Sequence, residues 1–161
     1  MKENFLPVVF DCMIFLQGLI KERGEAVNCL EAFENGAIQL FVSEEILREI
    51  ADVLTRPKLQ GKFSLLTTER AEKLLQTLRQ KATFIKNAPQ SFNYSRDPKD
   101  EKYINLAVFA KVAFLVSRDN DLLDLMTDFT DEAKEFRQRF RQLKVIEPQE
   151  FLQIIKTKEQ K

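Results

Sequence analysis

The sequence predicts an α/β fold, a three-layer α/β/α sandwich with a mostly parallel central sheet. Three observations carry that prediction. Short apolar, β-prone runs alternate with helical periodicity along the 161 residues, and such alternation implies crossover connections and parallel pairing. The strand candidates are nearly uninterrupted apolar runs, the pattern of strands covered on both faces. Only 4 Gly and 5 Pro punctuate the chain, too few for a succession of tight hairpins.

Taken in order, Leu6-Pro7-Val8-Val9-Phe10 is the first strand and Met13 to Lys21 the first helix. A second helix runs from about Glu25 to Glu34 and stops at Asn35-Gly36, a good C-terminal signal. Ala37 to Val42 is a strand. Ser43 then caps a helix with Ile46, Leu47, Ile50, Val53 and Leu54 on one face, which ends near Arg56-Pro57 because the residue before proline disfavours helix. Thr67 or Thr68 opens another helix striped by Ala71, Leu74, Leu75 and Leu78, and Thr83-Phe84-Ile85 is a short strand. Asn87 to Lys99, with Pro89 and Pro98 among polar residues, is a loop. Asp100 opens a helix through Ala110, and Val112 to Val116 is the strongest strand signal. A helix over about 131–141, a strand over 143–146 and a helix over 148–156 complete one domain spanning 1–156, with 157–161 a frayed tail.

Composition excludes several functions. There are no histidines, which removes His-based nucleases, His–zinc sites and Ser-His-Asp triads. Lys plus Arg and Asp plus Glu are 25 each, so the chain has no overall basic footprint. Cys12 and Cys29 sit in apolar surroundings and read as core residues, consistent with a reducing, cytoplasmic location. The apolar stretch from Phe5 to Ile20 carries Asp11 at its middle and lacks a small-residue cleavage pattern, so it reads as strand plus helix, with no membrane association. No Gly-x-x-x-x-Gly-Lys or Gly-x-Gly-x-x-Gly element is present. Met13 stands where a haloacid-dehalogenase phosphatase needs its second aspartate, and Lys144 starts the last strand rather than ending it, unlike a receiver domain.

In an open parallel sheet, ligands bind outside the carboxyl ends of the strands. Asp11 directly follows the first strand. Asp119 follows the run ending at Val116, with Asp121 close behind, and Asp100 lies nineteen residues earlier, one helix and one returning strand away. Glu49 follows the second strand on its helix, near Glu44 and Glu45. Carboxylates converging on one rim repel one another, and a divalent cation relieves that repulsion. Oxygen ligands without His or Cys select Mg²⁺ or Mn²⁺, which suits phosphodiester hydrolysis.

Three blocks resemble the PIN-domain family, in particular the toxin-type (VapC-like) ribonucleases of prokaryotic toxin–antitoxin systems. They are Val8-Val9-Phe10-Asp11, Ser43 to Glu49 with Val53-Leu54-Thr55-Arg56-Pro57-Lys58, and Asp97-Pro98-Lys99-Asp100-Glu101-Lys102-Tyr103 running into Phe114 to Leu123. The last is the most specific, and the likeness extends from about Pro7 to Ile146. The resemblance implies a PIN-like fold and a metal-dependent endoribonuclease with catalytic acids at Asp11, Glu49, Asp100 and Asp119. Asp11, Asp100 and Asp119 are the expected metal ligands, and Asp97, Ser117 and Asp121 are accessory or alternative positions. It also implies an RNA substrate, an antitoxin protein partner and a homodimer. One departure stands out: Cys12-Met13 replaces the family's polar residues after the first aspartate, removing support whose loss weakens metal affinity about 10- to 100-fold. A PIN-like RNA- or protein-binding module with weakened catalysis is the alternative. Arg137, Arg139 and Arg141 form a local basic excess suited to an RNA backbone, whereas Phe136 and Phe140 on the same helix pack inward.

Overall fold

The computed structural model describes residues 5–159. Its strands are β1 (Leu6–Phe10), β2 (Ile38–Ser43), β3 (Thr83–Ile85), β4 (Phe114–Val116) and β5 (Lys144–Ile146). Every pairing is parallel, in the order β3-β2-β1-β4-β5, with Val8 opposite Leu40 and Phe114, and Val116 opposite Phe10 and Ile146. This is the predicted sandwich. Right-handed crossovers place the helices that link β1 to β2 and β2 to β3 on one face, and those that link β3 to β4 and β4 to β5 on the other.

Local chemistry sets the helix ends. Helices α1 (Cys12–Ile20) and α2 (Glu25–Glu34) follow β1. Helix α2 closes where Gly36 adopts φ 78°, letting Ala37 N donate to Ala32 O and Gly36 N to Phe33 O. Ser43 Oγ accepts from Ile46 N (3.1 Å) to start α3 (Glu44–Leu54), Thr67 Oγ1 from Arg70 N (3.1 Å) to start α5 (Thr68–Lys81), and Thr130 Oγ1 from Ala133 N (3.2 Å) to start α8 (Asp131–Arg139). Phe10 and Phe114 turn one way to meet Phe151 of α9 (Pro148–Glu159), at 5.8 and 6.2 Å between ring centres. Opposite, Phe92 joins Phe136 and Phe140. Cys12 and Cys29 are buried, as expected.

The structure departs from expectation in four places. Pro57 ends α3 and also opens a short helix, α4 (Pro57–Lys62), because its missing N–H costs nothing in a first turn. The strong apolar run yields a strand only from Phe114, since α6 (Glu101–Phe109) closes through Lys111 at φ 55° and Val112 N donates to Ala107 O. After β4 come α7 (Asn120–Leu123) and a 3-10 turn (Asp124–Met126), which bury Leu122 and Leu125. Finally, α9 continues to Glu159, into the expected tail, and residues 160–161 lie outside the described part. Among the described residues no helix is long and apolar enough to cross a membrane.

Candidate metal centre

The chain leaves β1 and its neighbour β4 toward opposite sides of the sheet, which opens a crevice at their carboxyl ends. Asp11 and Asp119 arrive there from those strands. A 3-10 turn over Pro98–Asp100 brings Asp97 and Asp100 from the loop before α6. One carboxylate oxygen from each of Asp97, Asp100, Asp119 and Asp121 lies within 4.8 Å of the others. The expected positions Asp100 and Asp119 are therefore joined by the two accessory ones, Asp97 and Asp121.

Three of these carboxylates commit one oxygen to the protein, which fixes their orientation. Asp97 Oδ1 accepts from Lys99 N (3.1 Å), Asp119 Oδ1 from Asp121 N (2.9 Å), and Asp121 Oδ1 from Arg96 Nε (2.7 Å). Asp100 differs. It is 8% exposed, and its Oδ2 is buried without a hydrogen-bond donor among the described residues. Burial, then repulsion from Asp119, Asp97 and Asp11, pushes its pKa up to about 8. An oxygen-only set with an orphaned buried acceptor fits a hard dication.

Asp11 and Glu49 sit beside this group and outside it. Asp11 Oδ1 caps α1, accepting from Met13 N (3.0 Å) and Ile14 N (3.3 Å), while Oδ2 accepts from Ser117 Oγ. Burial raises its pKa to about 6 against those lowering bonds, and Asp119 adds to the rise. Ser117, fully buried, also accepts from Asp119 N (2.9 Å), so one hydroxyl ties β1's aspartate to β4's. Glu49 Oε1 accepts from the Tyr103 hydroxyl, which itself accepts from Cys12 N (3.2 Å), and Oε2 pairs with Lys102 at 3.2 Å.

Sequence reasoning missed Arg96, Lys102 and Tyr103. Arg96 reaches Asp121, Asp124 and Asp128 at 2.7, 2.8 and 3.2 Å. The spacing of those acids after β4 was the available signal, since it gathers three negative charges that need a cation. The three arginines expected to meet RNA, Arg137, Arg139 and Arg141, do not share one place. Arg137 donates to Leu125 O and Asp128 O (2.7 Å each). Arg139 pairs with Glu135 (2.8 Å), and with Arg141 it lines a surface hollow with Lys111 and Leu143, at the amino ends of β4 and β5. That edge is opposite the acids.

Comparison with known proteins agrees with this geometry. A family model described as PIN domain matches residues 7–121. MJ1680 of Methanocaldococcus jannaschii, described as an uncharacterized protein, is 31% identical over 153 residues, covering 95% of this chain and 94% of that protein. The crystal structure of PAE2754 from Pyrobaculum aerophilum superposes with a TM-score of 0.56 at 12% identity, over 95% of this chain and 90% of that one, a likeness of fold.

Proposed function

The chain belongs to the PIN-domain family, a nuclease-like fold, and from that premise we propose that it is a metal-dependent endoribonuclease hydrolysing RNA phosphodiester bonds, the toxin of a VapC-like toxin–antitoxin pair. The observation that carries this reading is the convergence of Asp97, Asp100, Asp119 and Asp121 around the unpartnered Oδ2 of Asp100. These four would hold Mg²⁺ or Mn²⁺, with Asp11 adding its charge from beneath. When bound, the ion supplies Lewis acidity toward a phosphoryl oxygen. Ser117 holds Asp11 and the Asp119 backbone in register. Lys102 and Tyr103 hold Glu49 at the edge of the centre, where Lys102 offsets its charge. In this reading the antitoxin is a small protein that covers the acidic rim, and the protein acts as a homodimer in the cytoplasm. Co-purification with the product of a neighbouring short gene, and light scattering, test those parts.

The experiment is RNA cleavage by the purified protein with Mg²⁺ or Mn²⁺, set against EDTA and against Asp100→Asn and Asp11→Asn. Loss of cleavage in EDTA and in both variants is expected. Equal activity in the variants, or none from folded wild type with either metal, refutes the reading. A second reading, a binding module with weakened catalysis, is favoured by one observation: both Asp11 oxygens accept bonds from within the protein, and among the described residues Cys12-Met13 adds no side-chain hydrogen bond there. RNA or protein binding without cleavage distinguishes it.

A further inference from the structure

Next to the acidic group, on the same rim, lies a separate polar cleft of about 320 Å³. It is bounded by the carboxyl end of β3, the start of α3 and the 3-10 turn before α6. That turn divides two environments. Asp97 and Asp100 belong to the acidic group, whereas Pro98 and Lys99 between them line the cleft.

The charges of the lining separate into committed and free. Lys102 is paired with Glu49, and both oxygens of Glu101 are taken, by Gln90 Nε2 (2.9 Å) and Tyr94 N (2.7 Å). Lys86 and Lys99 are exposed and have no carboxylate partner within salt-bridge distance among the described residues. Glu45, on the first turn of α3, is the free acid opposite them. One wall is rigid. Asn105, 4% exposed, accepts from Ser91 N and Phe92 N and donates to Gln90 Oε1, and Gln90 bonds onward to Asn93. Among the described residues no aromatic side chain lines the cleft, so bases have no stacking platform there, while Asn87 offers an amide. The volume lies at the lower end for small-ligand sites, the size of one nucleotide and too small for a duplex.

We infer that this cleft holds the sugar–phosphate unit next to the bond cut at the acidic group, with Lys86 and Lys99 taking the phosphate. Recognition is therefore of a single strand. The inference rests on the ribonuclease reading and deepens it. The two lysines give the substrate strand an anchor on a rim otherwise dominated by carboxylates, and Glu45 limits how much anionic backbone the cleft accepts.

The test uses a short labelled single-stranded oligoribonucleotide of mixed sequence, with a duplex of the same sequence as comparison. Affinity is measured on an Asp119→Asn background with Mn²⁺, and cleavage on the otherwise wild-type chain. Lys86→Gln and Lys99→Gln should each weaken binding about three- to tenfold. Each should flatten the salt dependence by about 0.7 in log–log slope and raise KM with kcat retained. Glu45→Gln should tighten binding, and Lys144→Gln, at the far edge of the sheet, should change nothing. Circular dichroism confirms folding, which these exposed positions leave intact. Cleaving wild type with both lysine variants indistinguishable from Lys144→Gln, or tighter binding of duplex than single strand, overturns the cleft and spares the ribonuclease reading. Binding through these lysines with no cleavage by wild type overturns the ribonuclease reading and the placement beside a bond that is cut, and supports only the binding of a sugar–phosphate unit by the cleft. No binding by wild type overturns both.

Discussion

Replacing Asp100 by Asn should make the metal-free protein more stable and leave it unable to gain from metal. The carboxyl is 8% exposed, and its pKa is raised to about 8 from 3.8 by burial and by Asp119, Asp97 and Asp11. Between those values the folded protein keeps a proton that the unfolded chain releases, so unfolding free energy falls as pH rises. At about 1.4 kcal/mol per pH unit the loss reaches roughly 4 kcal/mol by pH 7. The effective dielectric around a carboxyl that water still reaches reduces it to about 2–4 kcal/mol. Asn carries no charge, so in EDTA at pH 7 to 8 the variant should melt roughly 5–10 °C higher than wild type. That gain should shrink toward zero below about pH 3, where wild-type Asp100 is protonated in both states. Saturating Mn²⁺ should reverse the order. At a thousandfold excess over Kd it stabilises wild type by about 4.1 kcal/mol, and the variant hardly at all. Differential scanning fluorimetry across pH, with and without Mn²⁺, reads all of this. A variant less stable than wild type in EDTA at pH 8, or one stabilised equally by Mn²⁺, refutes the reasoning.

Tyr103→Phe removes the hydroxyl that joins Cys12 N to Glu49, and should cost about 1–3 kcal/mol in urea unfolding, since Cys12 N is left without it in a buried place. Arg96→Ala releases three carboxylates, one of them Asp121. Calorimetry should show weaker Mn²⁺ binding, partly restored by Arg96→Lys, and limited proteolysis should show faster cutting near residue 96. Burial raises the Cys12 and Cys29 thiols to about 12. Neither should react with iodoacetamide at pH 8 in the native protein, and both should react in urea, as mass spectrometry will show.

The fold was legible because its strands are short apolar runs and two of its helices begin at Ser43 and Thr67, where a hydroxyl caps the first turn. What escaped reading was local and conformational. A residue in the left-handed region at Lys111 draws Val112 into closing α6, and nothing in an apolar pentamer announces that its first members serve a helix end. Pro57 carried two meanings, stop and start, of which the sequence pattern favours the first. At the site, topology alone placed Asp11, Asp100 and Asp119 on one rim. It could not say how each carboxylate orients, which depends on single partners such as the Ser117 hydroxyl on Asp11.

Those partners also explain how the rim tolerates its charge. Arg96 takes one oxygen of Asp121, and Lys102 takes one of Glu49, so the two acids at the margins each have a cation supplied by the chain. Asp11 is stabilised instead by the α1 amides and Ser117, which hold its pKa below what burial alone would give. Among the described residues, Asp100 has neither a cation nor a donor for Oδ2. The repulsion that the fold leaves uncompensated is thus concentrated on one buried carboxyl, flanked by Asp97 and Asp119. An added dication gains most where the protein itself has provided least. Asp100 is for that reason the side chain at which stability without metal and affinity for metal should move in opposite directions, whereas a change at Arg96 should lower both together.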